Sequence, residues 1–268
     1  MSPIQKSFAE SRSAGRLQLM PFVPAGYPSL PATEAALIAL AKGGDQGGGG
    51  AGLIEVGIPF SDPIADGPVI QQAFSQALAA GVTLDAVLAS VAAARSKVSV
   101  PMVAMVSFSV AFRRGIARFS ADLKTAGFDG LILPDLPPPE AHKFCDLVRS
   151  AGLDTILLCA PTTPPERRKV IAELSSGFIY YLSVSGITGE RASLPDDLTR
   201  NLASLRSLTD KPLCVGFGLS TPAHLQALRG HADGAIVGSA LVRRMRDLGD
   251  APSEVARASA AFCLELLK

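Results

Sequence analysis

The sequence has 268 residues, 48% of them hydrophobic, and a formal net charge of +1 from 25 basic and 24 acidic residues. This length fits one large domain better than two small ones, and the apolar fraction is enough for a sizeable core. A nearly neutral chain without a block of basic residues is not expected to bind nucleic acid.

The cysteines and the N-terminus indicate the cellular compartment. Cys145, Cys159, Cys214 and Cys263 form neither a CxxC pair nor a zinc-binding spacing. The first eight residues are polar and lack the apolar stretch of a signal peptide. No apolar run approaches the roughly 18 residues that a membrane span needs. We therefore expect a reduced protein of the cytoplasm.

Short apolar runs alternate with longer helical patterns along the chain. The runs carry few charges, which is typical of parallel strands buried on both faces. The predicted strands are Leu17–Val23, Leu53–Ile58, Met102–Phe108, Gly130–Leu133, Thr155–Ala160, Phe178–Val184, Pro212–Phe217 and Gly234–Val237. The helical patterns between them include Pro31–Lys42, Leu84–Lys97, Phe112–Ala126, Pro139–Ala151 and Pro164–Leu174.

Eight strands separated by helices imply right-handed parallel crossovers. Such units close into a barrel more naturally than they form an open sheet. We therefore predict an α/β fold, a (β/α)8 TIM barrel that forms a single catalytic domain over residues 1–268; a doubly wound open sheet is the alternative. Ser2–Gly15 is predicted to be an extra N-terminal helix that plugs the bottom of the barrel, and Pro252–Leu267 to be the last outer helix.

Gly43–Gly52 contains seven glycines in ten positions and lies between the first outer helix and the second strand. That position is at the N-terminal end of the barrel, away from the catalytic end. The segment does not follow a strand and open a helix, so it lacks the context of a phosphate-binding loop. We interpret it as a flexible linker.

Barrel enzymes place their chemistry at the C-terminal strand ends. Glu55 stands alone in the apolar second strand, and an unpaired charge facing the outer helices would be costly. If it points inward, burial raises its pKa and lets it carry a proton near neutral pH. We interpret Glu55 as catalytic; the alternative is a structural glutamate paired with an arginine.

The loop Pro59–Pro68 follows this strand and holds Asp62 and Asp66 among prolines that fix side-chain positions. Either aspartate could instead cap a turn. Two carboxylates in different environments divide acid and base roles, so Asp66 is a candidate partner of Glu55.

Glycine-rich segments follow three other predicted strands. Gly216–Thr221 and Val237–Ala240 end the seventh and eighth strands. Glycine beside a helix N-terminus exposes N–H groups that bind phosphate, and barrels commonly use these two loops for it, although glycine also serves ordinary turns. The small residues of Ser185–Gly189, after the sixth strand, suit a mobile lid. We predict a phosphorylated substrate.

The positions of lysine and histidine argue against two classes of reaction. No lysine falls at the C-terminal end of a predicted strand, which argues against Schiff-base chemistry. His142, His224 and His231 fall in helical or loop segments and are expected at the surface, which argues against a histidine metal site. Acid–base chemistry by carboxylates remains.

Five segments occur in order along nearly the whole chain: Pro21–Pro28, Glu55–Pro68, Gly186–Gly189, Gly216–Gly218 and Gly238–Ser239. Together they resemble the tryptophan synthase alpha chain family, and Glu55–Pro68 is highly specific to it. The resemblance implies a lyase of tryptophan biosynthesis that cleaves indole-3-glycerol phosphate to indole and glyceraldehyde 3-phosphate by a retro-aldol reaction.

The resemblance also implies roles for individual residues. Glu55 matches the general acid–base that protonates the indole ring carbon, and Asp66 matches the carboxylate that hydrogen-bonds the indole N–H. Tyr180 matches an active-site tyrosine. The residues at substrate-binding positions are Phe22 and Phe217 of the indole pocket, Gly189, Gly218, Gly238 and Ser239 of the phosphate site, and the lid residue Thr188.

By the same resemblance, this chain carries no cofactor, and it assembles with a beta chain that holds pyridoxal phosphate in an α₂β₂ heterotetramer. Phe60 and Ile64 are apolar residues of the loop at the mouth of the barrel, and we expect a partner to cover them. The alternative is that both fold back onto the barrel rim.

The chain departs from the family at several places. Ser107 and Ser109 stand where a tyrosine and an asparagine are common, Val184 replaces a residue that is basic in some members, and Gly43–Gly52 is longer than usual. Three other functions stay open: a stand-alone lyase that releases free indole, a non-catalytic activating subunit, and another phosphate-binding barrel such as a sugar-phosphate isomerase. Glu55 and Asp66 argue against the second, and the motif around them argues against the third.

Overall fold

The structure, a computed structural model, describes residues 1–45, 50–63, 66–137, 140–183, 195, 197–216 and 218–268. Eight parallel strands close into a barrel in sequence order. They are β1 (Gln18–Pro24), β2 (Ile54–Gly57), β3 (Met102–Met105), β4 (Gly130–Ile132), β5 (Asp154–Cys159), β6 (Ile179–Leu182), β7 (Leu213–Gly216) and β8 (Gly234–Val237). The predicted TIM barrel is therefore confirmed.

One helix precedes the first strand, and the other helices follow the strands and form the outer layer. Within the described ranges they are α1 (Pro3–Ser13), α2 (Leu30–Asp45), α3 (Pro68–Ala79), α4 (Leu84–Arg95), α5 (Phe108–Arg114), α6 (Ile116–Ala126), α7 (Ala141–Ser150), α8 (Pro165–Leu174), α9 (Leu198–Arg206), α10 (Pro222–Leu228), α11 (Ser239–Arg246) and α12 (Pro252–Leu266). No single one of them is long and apolar enough to cross a membrane, although α3 and α4, bent by 102°, meet the length and composition criteria as a pair.

Alternation along each strand divides the buried side chains into two cores. The larger core includes the side chains packed between the strands and the outer helices and also contains Phe22. The smaller core fills the inside of the barrel, and its members are Ile4, Phe8, Met20, Leu53, Val103, Ile132, Ile156, Phe178, Tyr180, Cys214 and Ile236. Side chains two residues further along each strand share this inward face and lie nearer the C-terminal mouth.

Helix α1 closes the N-terminal end of the barrel, as its position in the sequence predicts. Ile4 and Phe8 are completely or almost completely buried in the inner core, and the ring of Phe8 lies 5.8 Å from that of Phe178. A capping box between Ser2 and Gln5 begins the helix. Arg12 near its end donates a 2.7 Å hydrogen bond to Asp233 beside β8.

Most predicted elements differ from the observed bounds by one to three residues, and the differences at the third strand and at the helix that follows it have a clear local cause. The third strand ends at Met105 instead of Phe108, because Ser107 caps α5. The helix predicted over Phe112–Ala126 is divided into α5 and α6 at Gly115, whose φ of +84° favours glycine.

The predicted linker over Gly43–Gly52 is also partly wrong. Helix α2 continues to Asp45, so the first glycines of the segment lie in its last turn. At the other end, the Ala51 N–H donates to the Leu40 carbonyl at 3.1 Å and returns the chain to α2. Residues 46–49 lie outside the described residues.

Candidate active site

Glu55 lies in the inner face of the barrel near its C-terminal mouth. It follows the inner-core residue Leu53 by two positions, and its Cα is in register with that of Phe22 on β1. The side chain is 1% exposed, and neither carboxylate oxygen has a hydrogen-bond partner among the described residues. Among the described residues no arginine pairs with Glu55, as the alternative of a structural glutamate would require.

Burial without a partner makes the charged form of Glu55 unfavourable. Burial first, and the nearby Asp66 carboxylate second, raise the pKa of Glu55 from 4.5 to about 8. The group therefore carries a proton at neutral pH and can deliver it to a substrate.

Asp66 lies near the end of the loop that follows β2, two residues before the start of α3. Its side chain is 8% exposed, and burial raises its pKa from 3.8 to about 6. The Gln71 side-chain amide of α3 donates to the carbonyls of Asp66 at 2.8 Å and Pro63 at 3.3 Å, which braces the loop. Asp62 is exposed and accepts a 2.8 Å bond from Ser61, so Asp66 is the loop aspartate that reaches the site.

Tyr180 of β6 faces the same interior space and is 5% exposed. Burial raises its pKa well above 10, and the carboxyl groups of Glu55 and Asp66 raise it further. The phenol crosses over β7, because a Cβ at Gly216 would lie 2.6 Å from the Tyr180 Cζ. Three residues predicted from the sequence as catalytic therefore share one buried electrostatic environment.

An aromatic wall lines the β1–β2 side of this space. The ring of Phe22 leans over Gly57, where a Cβ would lie 2.6 Å from its Cε2 atom. The ring of Phe74 on α3 lies 6.3 Å from Phe22 and 5.8 Å from Phe60. Phe60 is half-buried against the core, so at this residue the alternative of folding back onto the rim is confirmed. Ile64 lies outside the described residues.

Two backbone segments at the ends of β7 and β8 form the candidate phosphate site. Gly218 has φ +84°, and Gly238 precedes α11, whose first residue is Ser239. A helix N-terminus presents unpaired N–H groups to an anion. The position of a Cβ at Gly238 is 3.5 Å from the Phe22 Cβ, so the phosphate end adjoins the aromatic wall. Thr188, Gly189 and Phe217, together with Val184, lie outside the described residues.

The serines that depart from the family pattern lie at the start of α5. Ser107 is 4% exposed and donates a 2.6 Å hydrogen bond to Asp135, which also accepts the Phe108 N–H at 2.7 Å. Ser109 lies 2.8 Å from Ser107, oxygen to oxygen. These bonds tie the loop after β3 to the loop after β4.

Two of the three histidines lie at the surface as predicted, and one does not. His142 and His231 are exposed, as expected, but His224 is 5% exposed and its Nδ1 accepts the Ser220 N–H at 3.2 Å. The surface prediction for His224 is wrong, because α10 turns it toward the preceding loop. No cluster of three His, Cys, Asp or Glu that could hold a metal occurs among the described residues.

The tryptophan synthase alpha chain family model matches residues 8–268. The tryptophan synthase alpha chain of Prochlorococcus marinus (strain MIT 9313) is 45% identical over 264 residues, 98% of this chain and 93% of that protein. That of Rhodopirellula baltica is 46% identical over 250 residues, 92% of this chain and 88% of that protein. This chain belongs to the tryptophan synthase alpha chain family.

Solved structures agree with membership in the tryptophan synthase alpha chain family. Tryptophan synthase from M. tuberculosis in its aminoacrylate-bound form has a TM-score of 0.85 and 32% identity, covering 99% of this chain and 100% of that one. A mutant tryptophan synthase alpha-subunit from Pyrococcus furiosus has a TM-score of 0.84 and 35% identity, covering 93% and 97%.

As a member of this family, the protein is a carbon–carbon lyase that cleaves indole-3-glycerol phosphate in tryptophan biosynthesis. The family functions with a beta chain, which holds the pyridoxal phosphate; the alpha chain itself carries no cofactor. Nothing in the comparisons favours the other functions considered from the sequence.

Three residues that were not predicted from the sequence shape this candidate site. Gly57 and Gly216 leave room for the rings of Phe22 and Tyr180, and Phe74 completes the aromatic wall from the outer layer. The two-residue alternation places Gly57 on the face of Glu55 and thus signals its role. The sequence carries no comparable signal for Phe74, because its contacts depend on where α3 packs.

Proposed function

We propose that Glu55 is the general acid–base of the cleavage. It protonates the indole ring carbon that carries the glycerol chain, which makes the ring an electron acceptor. The carbon–carbon bond then breaks with its electron pair returning to the ring, and the adjacent glycerol hydroxyl loses its proton to the Glu55 carboxylate and becomes the aldehyde. The observation that carries this role is a buried carboxyl that has no hydrogen-bond partner in the described part of the chain and a pKa raised to about 8.

Asp66 takes the complementary role. With a pKa of about 6 it is ionised at neutral pH, while Glu55 is protonated. Two carboxyls held in opposite states by their environments divide the work between them. Asp66 accepts a hydrogen bond from the indole N–H and stabilises the positive charge that protonation creates on the ring, and Tyr180 completes the catalytic set.

The substrate lies between the aromatic wall and the phosphate site. Phe22 and Phe217 contact the indole ring, and the phosphate binds at the N-terminus of α11 and at the loops after β6 and β7. The residues proposed for the phosphate are Gly189, Gly218, Gly238 and Ser239, with Thr188 on the lid.

The whole chain, residues 1–268, acts as a single catalytic domain in the cytoplasm.

The test is to incubate the purified chain with indole-3-glycerol phosphate and to follow indole. The chain contains no tryptophan, so indole fluorescence comes only from ligand and product. Glu55→Gln is expected to lower turnover by roughly 10²–10⁴-fold, the usual contribution of general acid–base catalysis. Glu10→Gln, at a glutamate that is 64% exposed on α1, is the matched control. A Glu55→Gln enzyme with near-normal turnover would exclude the acid–base role.

We further propose that the chain forms an α₂β₂ heterotetramer with the beta chain and that the beta chain docks on the C-terminal mouth. Phe112 supports this surface: it is 65% exposed on α5, directly after β3, and its ring lies 5.6 Å from Phe108. An aromatic side chain this exposed at the catalytic end is suited to burial by a partner. Phe60 no longer supports the surface, because it packs on Phe74.

Complex formation is tested by size-exclusion chromatography and by the indole-forming rate with and without the beta chain of the same organism. Phe112→Ser is expected to weaken co-elution and rate stimulation, because it removes apolar contact area. Leu264→Ser on α12, where the leucine is 48% exposed, is the control and is expected to change neither. Absence of co-elution and of stimulation for the wild-type chain would favour the stand-alone lyase.

A further inference from the structure

We propose that Phe74 of the outer helix α3 is a positioning residue for the cleavage, holding both Phe22 of the indole pocket and the loop that ends at Asp66. The proposal rests on the roles given above to Phe22 and Asp66. Phe74 does not contact the reacting atoms, so its effect is indirect, through the two groups that do.

The contacts of Phe74 join the inside of the barrel to the loop at its mouth. Phe74 is 1% exposed, and its ring lies 6.3 Å from Phe22 at 58° and 5.8 Å from Phe60 at 54°. Both separations fall in the range of favourable tilted aromatic pairs. Phe60 belongs to the loop between β2 and α3, and Phe22 faces the interior from β1.

Gly57 at the end of β2 makes this arrangement possible. A strand normally separates the side chains inside a barrel from those of the outer helices. At Gly57 a single Cβ would lie 2.6 Å from Phe22 Cε2 and 3.0 Å from Phe74 Cζ, so any side chain there would displace both rings. The missing side chain lets a ring from the outer layer contact a ring from the interior.

Helix α3 holds the same loop at a second point. Gln71 precedes Phe74 by three residues and therefore lies on the same helix face. Its amide donates to the carbonyls of Pro63 and Asp66. The helix thus fixes the loop backbone through Gln71 and the loop aromatic through Phe74. A shorter side chain at 74 is expected to loosen both Phe22 and the Asp66 loop.

The experiment compares Phe74→Leu with Phe119→Leu, whose phenylalanine is fully buried on α6. Both changes remove the same atoms from the outer core and are expected to lower Tm. Only Phe74→Leu is expected to weaken inhibition by free indole, by roughly three- to tenfold if aromatic pairing is lost, and to lower kcat. Inhibition by glycerol 3-phosphate is expected to stay at the wild-type value, because the phosphate site is at α11.

A double-mutant cycle gives the second measurement. Phe22→Leu and Phe74→Leu are expected to be non-additive for indole affinity, whereas Phe22→Leu and Phe119→Leu are expected to add. If Phe74→Leu does not fold, Phe60→Leu, at a half-buried loop residue, is expected to lower kcat and leave indole affinity unchanged.

The proposal would be overturned if the kinetics of Phe74→Leu matched those of Phe119→Leu, or if Phe74→Leu and Phe22→Leu were fully additive. If Phe74→Leu does not fold, a wild-type kcat in Phe60→Leu would overturn it. The proposed site would fail differently. In that case Glu55→Gln would keep its turnover, whereas failure of the positioning role alone leaves Glu55→Gln inactive.

Discussion

Replacing Glu55 by glutamine is expected to stabilise the protein at alkaline pH while it lowers turnover by roughly 10²–10⁴-fold. The folded chain holds the Glu55 carboxyl buried, with no hydrogen-bond partner from any residue that the structure describes, whereas the unfolded chain exposes it to water. Ionisation is therefore easier after unfolding, and the folded state binds the proton more tightly. Glutamine has the same shape and no proton to lose.

The size of the effect follows from the pKa shift. One pKa unit corresponds to 1.36 kcal/mol, so the rise from 4.5 to about 8 corresponds to about 5 kcal/mol, lost as the pH rises from 4.5 through 8. Asp66 also causes a loss of stability as the pH rises, but at lower pH, because its pKa rises from 3.8 to about 6. Above pH 6 the remaining loss belongs to Glu55 and amounts to about 3 kcal/mol.

The measurement is the unfolding of wild type, Glu55→Gln and Glu10→Gln at a series of pH values from 6 to 8.5. Far-ultraviolet circular dichroism is the probe, since the chain has no tryptophan. The Tm of wild type and that of Glu10→Gln are expected to fall by the same amount as the pH rises, whereas the Tm of Glu55→Gln is expected to fall less. For a chain of this size the difference corresponds to roughly 6–12 °C in Tm.

Groups other than Glu55 titrate in this pH range, but all three proteins share them, so the difference between the curves reports Glu55. Parallel curves for wild type and Glu55→Gln would show that the carboxyl is already ionised in the folded protein at pH 6. A carboxylate in that state has no proton to give to the indole ring, and the acid role would be refuted.

Two further changes test the rest of the site. Gly238→Asp is expected to fold, since its Cβ meets no atom closer than 3.5 Å, but to weaken inhibition by glycerol 3-phosphate through charge repulsion at the start of α11; equal losses for free indole would contradict the phosphate assignment. Gly216→Ala is expected to lower stability by about 1–3 kcal/mol and to lower kcat, because the new Cβ overlaps the Tyr180 ring. A wild-type Tm and kcat in Gly216→Ala would show that Tyr180 is not confined there.

The strands and the buried carboxylate could be predicted because both leave local signals. Apolar runs marked every strand, and a lone glutamate in such a run has few places to point. The boundaries were less accurate where tertiary contacts compete with local pattern. Val106 and Phe108 continue the apolar pattern of β3, yet Asp135 from the next loop accepts hydrogen bonds from the Ser107 hydroxyl and the Phe108 N–H and helps begin a helix there.

Residues whose role depends on helix packing could not be predicted. Phe74 is one of several apolar residues on α3, and nothing in its sequence neighbourhood distinguishes it from Ile70. His224 shows the same limit, because its burial depends on how α10 turns its first residues toward the Ser220 loop. Phe60 was expected to need a partner to cover it, but the ring of Phe74 already does so.

The closed floor of the barrel also determines the route of the products. Among the described residues, Ile4 and Phe8 fill the N-terminal end, and Arg12 and Gln5 fasten α1 to Asp233 and Ser176. Indole and glyceraldehyde 3-phosphate must therefore leave through the opening by which the substrate arrived. A protein bound over that opening would intercept every molecule of indole released. The order in which the two products leave would then depend on how much of the opening it leaves free for glyceraldehyde 3-phosphate.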